Sequence, residues 1–209
     1  MVDALSQRLR DQVLDGHIAP GTPIAETEIA AAFGVSRPTA KGAILTLVQG
    51  GLLRRDAHRP AYVPQLTADD VLDLYRVRIP LELEVVRGLA RGRIVPAGAA
   101  DAVHDLRRLP DSAAPSQFIG TDLRFHRALI AAADSPRLSR LYDIILDELH
   151  LSMKQSRRAL GRERIAHEHA DVLQAIVDGK PGRATTMMRQ HLEGAGKALA
   201  STIGGVAGP

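Results

Sequence analysis

Apolar side chains recur every three or four residues through the C-terminal two-thirds of the chain, a spacing typical of amphipathic helices. The pattern breaks at proline and glycine, which commonly begin or end helices. The breaks are at Pro96, Pro110, Pro115, Pro136, Gly161 and Pro181. They predict helices over residues 67–93, 96–108, 114–133, 136–158, 160–179 and 181–203. We therefore expect an all-helical bundle with a frayed tail at residues 204–209.

The length of the chain, 209 residues, exceeds the usual size of a single domain. We therefore predict two domains, at residues 1–65 and 66–209. Ala, Leu and Arg, all strong helix formers, dominate the composition, so the predicted fold class is mainly α.

The composition also excludes several kinds of site. There are no cysteines, so disulfides, zinc–thiolate sites and cysteine nucleophiles are ruled out. No apolar run approaches the roughly 18–20 residues that span a bilayer. The amphipathic N-terminus carries acidic residues, unlike a signal peptide. We expect a cytoplasmic protein with no membrane partner.

The first 65 residues have the pattern of a winged helix-turn-helix. Helices are predicted over residues 3–16, 26–33 and 37–49, and residues 18–23 form a turn-rich connector. Two short extended segments follow, residues 52–55 and 61–64, which predict a small hairpin, the wing. In this fold the N-terminal end of the last helix enters the major groove of DNA.

Polar and basic residues lie where such a fold contacts DNA. Arg37 and Lys41 are four residues apart and share one polar face of the third helix. Arg54 and Arg55 add positive charge to the wing. The predicted DNA contacts are Ser36, Arg37, Thr39, Lys41, His58 and Arg59. The alternative is that Arg37 and Lys41 are only solvated helix charges. The net charge of +3 is too small to identify a DNA-binding protein by itself.

Acidic and histidine residues also occur on otherwise apolar helix faces. Asp122 and His126 are four residues apart on one such face, so they need a polar partner or a metal ion. On a later helix His169 lies on the apolar stripe, whereas His167 lies on the polar side. With His191 in the last helix, three nitrogens and one oxygen suit Zn²⁺, or else Ni²⁺ or Mn²⁺. The alternative for each histidine is a hydrogen-bonded core residue.

The N-terminal 65 residues resemble the GntR family of bacterial transcription regulators. The resemblance rests on Ile18–Gly21, Ile24–Ala30, Phe33–Arg37 and Gly51–Leu53. It implies binding to double-stranded operator DNA. The family usually has Ser-Arg-Thr-Pro-Val-Arg-Glu, but here Pro38 precedes Thr39, Lys41 replaces an arginine and Gly42 replaces a glutamate. Because lysine lacks arginine's bidentate fork, the operator sequence cannot be transferred from relatives.

Residues 69–200 resemble the FCD ligand-binding domain of the FadR-like branch of that family, and six helices are closer to its VanR-type subgroup. The resemblance rests on Leu74–Arg78, Asp122–His126, Glu168–His169 and His191–Leu192. It implies a small carboxylate effector beside a divalent metal whose ligands are Asp122, His126, His169 and His191. Arg78 is the candidate for the effector carboxylate. The alternative for Arg78 is an ion pair with Glu82, four residues further on.

These features predict a transcription regulator, not an enzyme, whose affinity for operator DNA responds to a small organic acid. A DNA-binding module of this size needs two half-sites for specificity, so a homodimer is expected. Two alternatives stay open, in which the metal itself is the signal or the Asp/His cluster belongs to a metalloenzyme. The lack of an HExxH motif argues against the enzyme.

Overall fold

The computed structural model describes residues 1–110, 112–156 and 161–203. The chain divides into two compact units, Met1–Gln65 and Leu66–Pro209. Helices predominate and the described strands form one small sheet, which confirms the mainly α fold class. In the described ranges, every helix is too short or too polar to cross a membrane.

Three helices and a three-stranded sheet form the N-terminal unit. The helices are α1 (Val2–Asp15), α2 (Glu26–Phe33) and α3 (Arg37–Gln49). The strands are β1 (Pro23–Ile24), β2 (Arg54–Arg55) and β3 (Ala61–Tyr62). Strand β3 lies between the other two and is antiparallel to both. Helix α1 packs against α3, and buried side chains such as Leu9 and Ile44 form the core.

The ends of these helices follow from local chemistry. Gly16 and Gly34 have φ values of 83° and 63°, a left-handed conformation that ends α1 and α2 at little cost. Ser36 caps α3, because its hydroxyl accepts a hydrogen bond from the backbone N–H of Thr39. Pro38 lies in the first turn, where a missing N–H is tolerated. The predicted bounds of α2 and α3 are confirmed.

The small sheet differs from the expectation in two details. Strand β1 begins at Pro23, the last residue of the segment predicted to be only a connector, so that prediction was incomplete. The wing strands are also shorter than predicted, because Leu52 and Leu53 are buried core residues outside the ladder. A two-residue strand shows no alternation of polar and apolar residues, and its pairing depends on a partner far away in the sequence.

Six helices in the described ranges form the C-terminal unit. They are α4 (Ala68–Gly92), α5 (Ala97–Arg108), α6 (Pro115–Ala131), α7 (Pro136–Gln155), α8 (Arg162–Val177) and α9 (Pro181–Ala200). Wherever the ends are described, they agree with the predicted ends to within three residues. The predicted helix end at 158, the predicted helix start at 160 and the tail at 204–209 lie outside the described residues.

Helix α4 is the central element of this unit and packs closely against α9. Gly196 of α9 permits the approach, since a Cβ at that position would lie 2.8 Å from Cγ of Tyr75. Helix α6 packs on α5 and α7, and α8 packs on α5 and α9. The inner faces of four helices thereby share one interior. The buried charged and histidine side chains described in this unit are Arg78 and Glu82 from α4, Asp122 and His126 from α6, His169 from α8 and His191 from α9.

Candidate metal centre and DNA-binding surface

The four side chains predicted as metal ligands lie together in the interior of the C-terminal unit. Asp122, His126, His169 and His191 are all buried, and each offers one ligand atom within 4.8 Å of the others. Asp122 and His126 share a face of α6 because they are one helical turn apart. Helices α8 and α9 each supply one histidine.

Within this cluster the three imidazole rings face one another through their Nε2 atoms. His191 Nε2 lies 3.2 Å from His169 Nε2 and 3.3 Å from His126 Nε2. Asp122 Oδ1 lies 3.5 Å from His169 Nε2 and makes no hydrogen bond in the described part of the chain. A buried carboxylate oxygen without a partner is costly, so this geometry favours a cation at the centre.

The neighbouring histidine on α8 differs in its surroundings. The side chain of His167 is 76% exposed and lies 3.6 Å from Asp171, whereas that of His169 is fully buried. The ring of His169 stacks on Phe125 with a centroid distance of 3.8 Å and an interplanar angle of 8°. The burial agrees with the prediction from the sequence that His169 lies on the apolar side of the helix and His167 on the polar side.

Burial lowers the pKa values of two of the rings, those of His126 and His169. Desolvation lowers the pKa of His169 well below its ordinary value, and the nearby His191 and His126 lower it further. Desolvation and then Arg78 lower the pKa of His126, although Glu82 opposes them. Both rings are therefore neutral at pH 7, and neutral imidazole is the form that binds metal ions.

Glu82 is a buried side chain beside the cluster that the sequence suggested only as a partner for Arg78. One of its oxygens lies 2.6 Å from His126 Nδ1, and the other accepts hydrogen bonds from Arg78 Nε and the Tyr142 hydroxyl. Burial raises the pKa of Glu82, but Arg78 and then His126 outweigh this effect and hold the pKa far below its ordinary value. Glu82 is therefore an ionised carboxylate at pH 7.

Glu168 has a similar position next to His191, and sequence reasoning assigned it no role. Its Oε2 lies 2.8 Å from His191 Nδ1, and its Oε1 accepts a hydrogen bond of 2.8 Å from Arg164 Nε. The side chain is 28% exposed. Partial burial raises the pKa of Glu168, but the hydrogen bond to His191 and the charges nearby give a net lowering.

Arg78 is only 1% exposed and makes the ion pair with Glu82 that the sequence offered as an alternative to effector binding. Its Nε atom also lies 3.1 Å from the Tyr142 hydroxyl, and its guanidinium lies over the ring of Tyr75 at 5.2 Å. Its Nη2 atom, however, has no hydrogen-bond partner among the described residues. Ion pairing with Glu82 therefore leaves one donor of Arg78 available for another acceptor.

The predicted DNA contacts lie at the surface of the N-terminal unit. Ser36, Arg37 and Lys41 are exposed at the start of α3, and the half-buried Thr39 shares a 2.8 Å hydrogen bond with Ser36. On the wing, the exposed residues are His58 and Arg59. His58 has a φ of 61°, in the tight turn between the strands.

Arg55 differs from the expectation that it adds free positive charge to the wing. Its guanidinium is half-buried and lies 3.3 Å from the carboxylate of Glu26 in α2. The ion pair offsets its charge and ties the wing to α2. Its role is therefore at least partly structural.

Two family models match the chain. "Bacterial regulatory proteins, gntR family" matches residues 2–63, and "FCD domain" matches residues 73–194, more than half of the chain. The chain belongs to the GntR family and carries an FCD domain. It is thus a DNA-binding transcriptional regulator of the GntR/FCD type. The VanR-type subgroup stays a prediction.

Relatives of this GntR protein are also regulators. The HTH-type transcriptional regulator BphR of Paraburkholderia xenovorans is 27% identical over 206 residues, which cover 92% of this chain and 82% of BphR. The Gluconate operon transcriptional repressor of Bacillus subtilis is 27% identical over 185 residues, which cover 82% of this chain and 74% of the repressor.

Solved GntR structures share the fold. A GntR regulator from Rhodococcus sp. RHA1 has a TM-score of 0.83 at 23% identity, covering 96% of this chain and 97% of its own. The Zn²⁺-bound FCD domain of TM0439 has a TM-score of 0.55 at 18% identity, covering 65% of this chain and 95% of its own. At these identities the likeness concerns the fold alone.

Proposed function

We propose that Asp122, His126, His169 and His191 hold a divalent metal ion, and that a small carboxylate bound beside the ion controls the affinity of this regulator for operator DNA. The observation that carries the proposal is the convergence of three imidazole nitrogens and one carboxylate oxygen, all within 4.8 Å of one another, in a buried interior.

The donor set fits a divalent ion with nitrogen and oxygen ligands. Two of the rings are neutral at pH 7 and can bind a metal ion without losing a proton, and Asp122 Oδ1 lacks a hydrogen-bond partner in the described part of the chain. Zn²⁺ accepts such ligands, as do Ni²⁺ and Mn²⁺. The Zn²⁺-bound FCD domain of TM0439 supports the choice of Zn²⁺ as the first ion to test.

The effector that we propose is a small organic acid. A bound divalent ion supplies a positive centre to which a carboxylate oxygen can bind, and four protein ligands leave positions open in an octahedral shell. Arg78 Nη2, buried and without a partner among the described residues, is the second donor that we assign to the carboxylate. Because Arg78 Nε already pairs with Glu82, only part of the guanidinium group of Arg78 is available to the effector.

For the N-terminal unit we propose DNA contacts through the exposed start of α3 and the wing. Arg37 and Lys41 would reach base edges, while Ser36, Thr39, His58 and Arg59 would contact the backbone or the minor groove. We also propose a homodimer that binds two half-sites. Sedimentation equilibrium of the purified protein tests the dimer, since a monomer at micromolar concentration contradicts it.

A titration of operator binding tests the control of DNA affinity. The protein is stripped with a chelator and reloaded with Zn²⁺, and its affinity for a selected operator is measured with and without a panel of small carboxylates. An affinity that changes with a carboxylate only in the Zn²⁺-loaded protein supports the proposal. An affinity that changes with Zn²⁺ but with no carboxylate makes the metal itself the signal. An affinity indifferent to both contradicts the proposal.

A further inference from the structure

We infer that Glu82 and Glu168 are positioning residues, which hold the Nδ1 protons of His126 and His191 so that each ring presents Nε2 to the centre of the cluster. This inference rests on the proposed metal site. It adds two carboxylates, from α4 and α8, that bind no metal themselves but set which ring nitrogen is the ligand.

The first pair lies in the interior. Glu82 Oε2 is 2.6 Å from His126 Nδ1, and both side chains are fully buried. The other oxygen of Glu82 accepts from Arg78 and Tyr142, two donors that keep the carboxylate in its acceptor-only form. Because an ionised carboxylate has no proton to donate, the proton between the two side chains belongs to His126 Nδ1. In the neutral ring, Nε2 then carries a lone pair.

The second pair lies nearer the surface and follows the same logic. Glu168 Oε2 is 2.8 Å from His191 Nδ1, and Arg164 binds the other oxygen. Glu168 is adjacent to His169 on α8, so one helix supplies both a cluster histidine and the partner that orients another. The sequence motif Glu168-His169 therefore contributes two different functions to the site.

A geometric consequence connects the two pairs. His126 Nε2 and His191 Nε2 lie 3.3 Å apart, close enough for a hydrogen bond. If both rings hold their protons at Nδ1, neither can donate across this gap, and two lone pairs face each other in a buried space. A cation between them relieves that repulsion. The carboxylates thus prepare the cluster for a metal ion and exclude a hydrogen bond between His126 Nε2 and His191 Nε2.

His169 offers an internal comparison. Its Nδ1 atom is buried and has no hydrogen-bond partner among the described residues. The ring is held instead by stacking on Phe125. In the described part of the chain no carboxylate contacts His169 Nδ1, so we expect the tautomers of His126 and His191, but not of His169, to depend on Glu82 and Glu168.

The tautomers can be measured in the metal-free, full-length protein. Long-range ¹H–¹⁵N spectra of ¹⁵N-histidine-labelled protein distinguish an Nδ1–H ring from an Nε2–H ring. We expect Nδ1–H for His126 and His191. Glu168→Ala should move His191 toward the Nε2–H form and leave His126 unchanged, and Glu168→Gln, which keeps an acceptor oxygen, should partly restore Nδ1–H. An Nε2–H form of His191 in the wild-type protein overturns the inference, as does a His191 spectrum unchanged by Glu168→Ala.

Glu193→Ala is the matched control, because Glu193 is a half-exposed glutamate on α9 that lies 3.8 Å from Arg189. It should leave the ring tautomers as they are in the wild type. Glu82→Gln tests the first pair in the same way. Since that change also removes the charge beside the buried Arg78, Glu168→Ala keeps the inference testable even if the Glu82 variant does not fold.

The affinity for Zn²⁺ is the second readout, measured by competition with a chromophoric chelator. Loss of an outer partner of a histidine ligand typically weakens metal binding by about 10–100-fold. We expect that range for Glu168→Ala and no change for Glu193→Ala. Equal affinity of wild type and Glu168→Ala would overturn the inference while leaving the proposed metal site intact. If the wild-type protein binds no Zn²⁺, the proposed function fails, and the tautomers still decide the roles of the two carboxylates.

Discussion

His126 Nε2 and His191 Nε2 lie 3.3 Å apart in the buried interior of the C-terminal unit, although the two residues belong to different helices and are 65 positions apart. The far nitrogen of each ring contacts a carboxylate, Glu82 in one case and Glu168 in the other. The polar core of this regulator is therefore a layered arrangement, with the rings at the centre and the glutamates behind them.

His169→Ala should lower the metal content of the purified protein, whereas His167→Ala should not. The two residues are neighbours on α8, but His169 is fully buried in the cluster and His167 is 76% exposed. Elemental analysis of both variants after identical purification gives the metal-to-protein ratio. Loss of metal from His167→Ala together with full retention in His169→Ala would overturn the assignment of ligands.

The free energy of unfolding of the metal-free protein should fall as the pH drops below about 6.5, the ordinary value for histidine. The folded protein lowers the pKa of His126 and His169, so the unfolded chain binds protons that the folded chain does not. Stability is then full above the unfolded pKa and is lost as the pH decreases toward the folded values.

Urea unfolding between pH 8 and pH 5 measures this dependence. This pH range lies above the range in which most carboxylates titrate. His169→Asn should flatten the curve below pH 6.5, whereas the exposed-site control His167→Asn should keep the wild-type slope. A constant free energy of unfolding from pH 7 to pH 5 would contradict the prediction.

Arg78→Met should destabilise the protein by about 3–5 kcal/mol, the usual cost of removing one partner from a buried ion pair. The change leaves the carboxylate of Glu82, fully buried, without its strongest charge partner. Arg76→Met is the control on the same helix, because Arg76 is 78% exposed in its ion pair with Asp73. Urea denaturation should show a loss within about 1 kcal/mol for this control. Equal losses in the two variants would refute the structural importance of the buried pair.

Arg37→Ala should weaken operator binding by about 1–3 kcal/mol if Arg37 contacts a base edge. Its position at the exposed start of α3, directly after the N-cap residue Ser36, favours such a contact. Fluorescence anisotropy with an operator selected from random duplexes measures the affinity. Gln49→Ala, at the opposite end of the same helix, should bind like the wild type. An unchanged affinity of Arg37→Ala removes this residue from the interface.

Much of the architecture could be predicted from the sequence because its signals are local. Proline, glycine and the apolar spacing located the six C-terminal helices, and Ser36 marked the start of α3. The short strand β1 was missed, because a two-residue strand exists only through pairing with β3. The wing is shorter than predicted because Leu52 and Leu53 are buried outside the ladder.

For the candidate site, the spacing of apolar residues is enough to predict which helix faces are buried. The helical period places Asp122 and His126 on one side of α6 and turns His169, not His167, inward. This information is local, since 3.6 residues per turn relates positions three or four apart.

Contacts between side chains of different helices depend on the tertiary structure and could not be predicted from this spacing. Glu82 reaches His126 from 44 residues away and Glu168 reaches His191 from 23 residues away, distances that no helical period relates. The tertiary structure also showed that Arg78 pairs with Glu82 inside the protein while one of its donors lacks a partner among the described residues. The physical reason is that helix packing, not spacing along the chain, sets which charges share a low-dielectric interior and must satisfy one another.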